Sequence, residues 1–248
     1  MNSRFRLNKA LARAGVCSRR KADQLVFSGR VRVNSQVVRD PGIRVDPGRD
    51  TLELDNEVVD LGSSFKEPVY VLLNKPVRVV TTLDDPQGRQ TVADILPVKL
   101  RRLRLFPVGR LDYFSQGLLI MTNDGALAHE LTHPSREHSK VYRVEVRGGL
   151  SRKKVQIMEK GMVLKEGEKL APVQVDVRMR RKNHALLHLT LVQGVNRQIR
   201  RMCRDLGLVV LSLTRIQQGA VALGDLKPGE WRYLTPQELQ DLRQGADK

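Results

Sequence analysis

The chain has 248 residues, 40% of them hydrophobic, which is enough for a packed core and too many for a chain disordered by composition. Lys and Arg number 44 against 27 Asp and Glu, a formal charge of +17 that repels itself unless an acidic polymer answers it, and a nucleic acid backbone is the expected partner. No apolar run has signal-peptide or membrane-span length, no amphipathic helix sets a broad apolar face beside a basic one, and Cys17 and Cys203 stand apart outside any CxxC; these exclude a disulfide scaffold, a zinc ribbon and a membrane partner, and a soluble cytoplasmic protein is expected.

Residues 1–60 read as one small α+β unit. Leu7, Ala10, Leu11 and Ala14 recur at helical spacing, and Gly15 stops that helix. Ser18 is placed to cap a second helix carrying Ala22, Leu25 and Val26, which ends near Ser28-Gly29. Arg19, Arg20 and Lys21 then occupy its first turn, where cations oppose the helix dipole and so are not placed for helix stability. Short strands follow at 30–33 and 37–38 around an Asn34-Ser35 turn. Ten Lys or Arg and one acid, Asp23, precede residue 40, which points to an RNA-binding surface. Lys9, Arg19, Arg20, Lys21, Arg30 and Arg32 are its candidate contacts.

Residues 61–67, with Gly62-Ser63-Ser64, read as a flexible linker. A strand over 69–73 then ends in Asn74-Lys75-Pro76, and a polar loop runs from Thr81 to Thr91. Lys99, Arg101, Arg102 and Arg104 form a basic cluster. Next comes GRLDYFSQGLLIMTNDG, residues 109–125. Leu118 to Met121 is short, apolar and bounded by turn residues, the pattern of a buried strand. Asp112 therefore sits on a loop feeding a rigid strand, between glycines that let another backbone come close, a reasonable place for chemistry. His129-Glu130-Leu131-Thr132-His133 matches HExxH, in which two histidines one helical turn apart bind zinc. Pro134 biases His133 out of helix, however, and the expected reading is the end of a helix packing on the strand after Asp112. Ser139 to Val146 alternates, with Tyr142, Val144 and Val146 on one face.

Residues 151–182 read as helix, turn and strand with no evident chemistry, closing on a basic run from Arg178 to Lys182. His184 to Val192 alternates again, with Ala185, Leu187, Leu189 and Leu191 on the apolar face. Asn196 is placed to cap a helix over 197–206 that Gly207 stops. Ile199, Met202, Cys203 and Leu206 form its buried stripe. Arg197, Arg200, Arg201 and Arg204 share an adjacent face and repel one another unless phosphates or carboxylates answer them. Residues 236–248 read as a polar tail, a helix that frays.

The motif GRLDxxSxGLLxxTNDG closely resembles the signature of the RsuA/RluB/RluE/RluF family of bacterial ribosomal-RNA pseudouridine synthases. Lys-x-Tyr at 140–142 and GVNRQIRRM at 194–202 resemble that family's second and third motifs, and the end of the domain, 226–234, resembles it too. Residues 4–53 resemble the small RNA-binding domain first known from ribosomal protein S-four. The likeness implies an α+β chain: an S-four-like domain at 1–60, a linker at 61–67, then a catalytic domain at 68–235 whose central, mostly antiparallel mixed sheet is flanked by helices.

It implies Asp112 as nucleophile, Tyr142 packed on the target base and implicated in taking the proton from carbon 5, and Arg200 paired with Asp112. Arg110 would fill the gap left by a flipped uridine. Lys140, Asn196, Arg197 and Arg201 would join the N-terminal cations on RNA, and Lys75-Pro76 would be a packing element near the site. Gln193 departs from the Glu of many members. The substrate implied is ribosomal RNA, of the large subunit, free or in an immature ribosomal subunit; no cofactor, metal or protein partner is implied. The competing readings are a non-catalytic ribosome-assembly protein and a zinc metalloprotease through His129 and His133.

Overall fold

Eight short elements build the N-terminal part of the chain: β1 (Phe5–Arg6), α1 (Leu7–Arg13), α2 (Arg19–Phe27), β2 (Val31–Val33), β3 (Gln36–Val38), β4 (Arg44–Val45), β5 (Leu52–Leu54) and β6 (Glu57–Val59). The computed structural model describes residues 4–61, 67–133 and 138–244 and divides into two units, Met1–Pro68 and Val69–Lys248. The linker residues Gly62-Ser63-Ser64 lie outside the described residues, as does Pro134.

In the first unit the expected cap is present: the Ser18 hydroxyl accepts from Lys21 N at 3.2 Å. Asn34 and Ser35, both at positive φ (50° and 66°), make the two-residue turn that joins β2 to β3. β3, β2, β5 and β6 form an antiparallel sheet in that order, and β1 pairs with β4. Leu7, Leu11, Leu25, Val26, Val31 and Leu52 close the core between helices and sheet.

The second unit contains β7 (Tyr70–Lys75), α3 (Val98–Arg101), β8 (Phe106–Pro107), β9 (Gln116–Thr122), α4 (Gly125–Thr132), β10 (Lys140–Arg147), α5 (Arg152–Lys160), β11 (Gln174–Arg181), β12 (His184–Leu191), α6 (Gln198–Asp205), β13 (Val209–Gln218), β14 (Val221–Ala222), β15 (Trp231–Tyr233) and α7 (Pro236–Gln244). Its sheet has the order β11-β12-β10-β13-β9-β7-β15, with β8 on β9 and β14 on β13. Every pairing is antiparallel except β13 with β9, where Thr214 and Arg215 lie beside Gln116 and Gly117. The sheet is mixed and mostly antiparallel, as expected.

β9 is central and buried on both faces. Leu119 and Met121 meet Val71, Leu73 and Leu100 on one side, while Leu118 and Ile120 meet Leu72, Leu127 and Leu131 on the other. All four β9 residues are fully buried, each contributing about 1.5–3 kcal/mol. On β10 and β12 only one face is buried, and Val144, Val146, Leu187 and Leu189 pack there on Met158 of α5 and on Ile199, Met202 and Cys203 of α6.

Two expectations change. α6 begins at Gln198, not Arg197, and its N-cap is Arg197 at φ 49° with no side-chain cap. Asn196 does not cap it, because a left-handed residue intervenes between the Asn and the first free amides. The C-terminal segment is not a loose tail as far as Gln244: Leu242 of α7 is buried, and the Arg232–Glu238 ion pair fixes the start of the helix to β15. Residues 245–248 lie outside the described residues.

Candidate active site

Asp112 is half-buried on the loop between β8 and β9, and that loop is held carbonyl by carbonyl. The Thr81 hydroxyl donates to Leu111 O at 2.7 Å, and Ser115 N donates to Asp112 O at 3.0 Å. Arg78 N donates to Tyr113 O at 2.7 Å, Arg200 Nη2 to Phe114 O at 2.7 Å, and Lys75 Nζ to Ser115 O at 2.9 Å. Five consecutive carbonyls are thus taken, from three separate stretches of chain. Gly117, two residues on, has φ 109°, and a Cβ there would lie 2.2 Å from Arg215 O. Only glycine lets β9 and β13 approach this closely, which is the close approach the sequence pointed to.

A cavity of about 530 Å³ opens beside the loop. Asp112, Arg110, Lys140, Tyr142, Asn196 and Arg197 all line it. Arg110, Asn196 and Arg197 are exposed, whereas Lys140 and Tyr142 are half-buried. Lys140 Nζ donates to His138 O at 2.8 Å.

Arg200 is placed differently from the expected pairing. Its guanidinium is committed to Phe114 O and its Nε is buried without a partner, and no direct Arg200–Asp112 ion pair forms among the described residues. The carboxylate is still close enough to act on it: burial lowers the Arg200 pKa, and the charge of Asp112 opposes that fall. Lys75 has the same neighbour. It is fully buried, donates to Pro76 O at 2.8 Å as well as to Ser115 O, and burial pulls it from 10.5 to about 8 against the attraction of Asp112. It is therefore more than a packing element.

The remaining arginines of α6 are answered by carboxylates. Arg201 pairs with Glu166 and Glu168, and Arg204 pairs with Glu166 and Asp205. The expected free face of Arg201 toward RNA is thus already occupied by two acids. Cys203 is fully buried, and burial pushes its thiol up to about 12, so it is no nucleophile. Gln193 uses both ends of its amide, accepting from Ala171 N at 2.8 Å and donating to Lys169 O at 3.4 Å. A Glu there could not donate.

In the first unit, Arg19, Arg20 and Lys21 are exposed, and no carboxylate answers them among the described residues. Lys9 lies 5.3 Å from the Phe5 ring centroid, Arg32 is half-buried, and Arg30 is paired with Asp55, its Nε 2.7 Å from Oδ1.

The HExxH reading lacks a ligand set among the described residues. α4 ends at Thr132, and His133 is its C-cap, its N still donating to His129 O at 2.9 Å before the backbone turns extended (φ −69°, ψ 133°), so the helix stops at the second histidine. Their rings pack edge to face at 5.1 Å. Among the described residues no group of three His, Cys, Asp or Glu is placed to hold a metal, and no helix is long and apolar enough to cross a membrane.

Sequence reasoning passes over Thr81, Ser115, Arg215 and Gln218. The last three line the cavity, are nearly fully buried, and each keeps one buried polar atom without a partner: Ser115 Oγ, Arg215 Nη2 and Gln218 Oε1. A buried Arg in a strand, here donating from Nε to Leu118 O at 2.7 Å, is the only one of these with a readable oddity.

Residues 69–205 match the RNA pseudouridylate synthase family, and residues 5–50 match the S4 domain family. The chain is 40% identical to ribosomal large subunit pseudouridine synthase B of Bacillus subtilis, over 98% of this chain and 97% of that one. It is 35% identical to the dual-specificity RNA pseudouridine synthase RluF of Escherichia coli, over 97% of this chain and 79% of that one. A crystal structure of a pseudouridylate synthase, 27% identical, superposes with a TM-score of 0.68 over 96% of this chain and 99% of its own. The chain belongs to the RNA pseudouridylate synthases, isomerases of RNA, in the RsuA/RluB/RluF group that carries an S4 domain before the catalytic domain.

Proposed function

We propose that this chain converts a uridine of ribosomal RNA, in the large subunit, to pseudouridine in the cytoplasm, with Asp112 as nucleophile and Tyr142 against the target base. The observation that carries the reading is the cavity itself: Asp112, within a run of five engaged carbonyls, shares one lining with Tyr142 and Lys140. The named activities of the relatives support ribosomal RNA as the substrate, and the large-subunit enzyme at 40% identity supports the choice of subunit.

The chemistry balances within one nucleotide. The Asp112 carboxylate attacks the sugar or assists departure of the base, and the C1′–N1 bond breaks with its electron pair on N1. The uracil turns and C5 bonds to C1′, breaking any Asp112–C1′ bond and freeing the carboxylate; the C5 proton then leaves past Tyr142, and N1 ends protonated. Nothing is oxidised and no group enters or departs, so this sequence calls for no cofactor. Arg200 and Lys75 act as positioning residues by fixing the carbonyls of Phe114 and Ser115. The unpaired atoms of Ser115, Arg215 and Gln218 offer hydrogen bonds to a polar base.

A stacked uridine cannot enter, so it is flipped out at a cost of a few kcal/mol, and exposed Arg110 fills its place. Arg197, Lys140 and Asn196 at the rim, with Lys9, Arg19, Arg20, Lys21 and Arg32 of the first unit, hold phosphates. Arg201 and Arg30, each already paired, contribute less.

The test is to incubate the protein with full-length large- and small-subunit ribosomal RNA transcripts and with immature subunits. Pseudouridine is then mapped by chemical marking and primer extension, with Asp112→Asn as control. One new stop, absent with the variant, is expected. RNA binding without conversion in any substrate would return the assembly-protein reading, and conversion by Asp112→Asn would remove the nucleophile assignment.

A further inference from the structure

The β11–β12 hairpin and the start of α5 carry a group of cations that the reaction does not use. Arg180, Arg181 and Lys182 stand exposed at the hairpin tip. Arg152 and Lys153 stand exposed in the first turn of α5, and Arg147 ends β10. The two elements are fixed together, since Gly148 N donates to Asn183 O at 3.1 Å, and they border a shallow concavity of about 460 Å³ lined by Gly149, Leu150, Ser151 and the three hairpin cations. None of these six cations has an ion pair among the described residues, and α5 has no acid in its first turn. On α6, by contrast, Glu166, Glu168 and Asp205 answer Arg201 and Arg204. The same fold neutralises one arginine cluster internally and leaves the other bare.

The helix start has a counterpart in the first unit. Ser18 caps α2 and is followed by Arg19-Arg20-Lys21; Ser151 caps α5 and is followed by Arg152-Lys153-Lys154. In both, the serine hydroxyl accepts from the amide of the third cation, at 3.2 and 3.3 Å. Three cations at a helix N-terminus oppose the helix dipole, so neither set is placed to stabilise its helix. Lys154 Nζ is tied to Gly149 O at 2.8 Å, which leaves Arg152 and Lys153 for a partner.

Strand register fixes where this surface lies. Tyr142 pairs with Leu189, third from one end of the β10–β12 ladder, and Arg147 pairs with His184 at the other end. Five residue steps of antiparallel strand separate Tyr142 from Arg147, about 17 Å. One nucleotide cannot touch both residues, but a stacked strand spans that distance with about five phosphates.

We propose that the β11–β12 tip and the first turn of α5 form a second RNA-backbone site on the catalytic domain, which grips phosphates several nucleotides from the target uridine. This rests on the RNA-modifying reading above. It gives the enzyme a reason to prefer a long, folded RNA over a short fragment, and it assigns part of the +17 charge to the catalytic domain itself.

The test compares the full chain with the triple variant Arg180→Ser, Arg181→Ser, Lys182→Ser. Affinity for a full-length large-subunit ribosomal RNA transcript is measured across a salt series. Every phosphate that the variant leaves unneutralised should flatten the slope of log K against log salt by about 0.7–0.9, so a slope shallower by roughly 1–3 is expected, with at least a tenfold loss of affinity at low salt. The charge-keeping pair Arg180→Lys, Arg181→Lys should retain the original slope, and fluorescence of Trp231 checks that the fold is intact. Equal slopes for the triple variant and the unaltered chain would overturn the proposal. So would an unchanged slope together with a loss of binding to polyglutamate, which would give the surface to an acidic protein. Conversion is scored separately: if the unaltered chain makes no pseudouridine, the enzymatic reading fails while the slope comparison still stands.

Discussion

Lys75→Met separates the charge of the buried amine from the bulk of its side chain. In the folded chain Lys75 titrates at about 8, against 10.5 for an ordinary lysine. A folded pKa below the unfolded one means that the charged form is disfavoured by folding. That cost is fully present below pH 8, where both states hold the proton. It disappears between pH 8 and 10.5, where the unfolded chain keeps the proton and the folded chain has released it. A difference of 2.5 pH units corresponds to about 3 kcal/mol in all, of which about 2 kcal/mol is recovered between pH 7 and 9.5.

Trp231 is the only tryptophan and pairs with Leu73, two residues from Lys75 on β7, so its fluorescence follows unfolding of the relevant sheet edge. Urea unfolding of the two proteins at pH 7, 8, 9 and 9.5 should show the unaltered chain gaining about 2 kcal/mol on the variant as pH rises. The variant starts lower or higher according to what Pro76 O and Ser115 O lose, but that offset does not vary with pH. Parallel pH profiles would refute the reasoning, because they would mean that the amine is not held charged at a cost in the folded state.

Gly117→Ala should destabilise the second unit by about 3 kcal/mol or more, since the new Cβ meets Arg215 O at 2.2 Å with φ at 109°; the urea midpoint reports it. Thr81→Val removes the hydroxyl that donates to Leu111 O and accepts from Leu111 N at 3.3 Å, and should lower kcat roughly tenfold while leaving KM for RNA unchanged. A lowered affinity instead would place Thr81 on the RNA. Arg197→Ala should weaken RNA binding and flatten its salt slope by about 0.7–0.9, whereas Arg201→Ala, whose side chain is already held by Glu166 and Glu168, should change the slope by much less. Equal effects would show that those acids release Arg201 to the RNA.

What can be read from the sequence is what is local. Leu118 to Met121 announces a buried strand because a short apolar run between turn residues has few other uses. Ser18 announces its helix because a cap is decided by a hydroxyl and an amide three residues away. The alternation of β10 places Tyr142 with Val144 and Val146, and all three pack in the same cluster. What cannot be read are bonds to main-chain carbonyls far along the chain. Arg200 reaches Phe114 across 86 residues and Lys75 reaches Ser115 across 40, and neither bond needs a particular side chain at the accepting end. Asn196 looks like a cap in the sequence because an arginine in left-handed conformation is not expected at a helix start. Leu242 escapes notice because a single apolar anchor hardly shows in a polar segment, yet it suffices to hold α7 on the core.

The carbonyl clamp also sets an order of events in the life of the chain. Its parts enter at residues 75, 78, 81 and 200, on either side of the loop they hold. A nascent chain synthesised only as far as β12 has the Asp112 loop and most of the sheet, but it lacks α6 and so has no donor for Phe114 O. β13, against which Gly117 is fitted, comes later still. The loop that carries Asp112 is therefore fully held only when the last third of the domain has been made and docked.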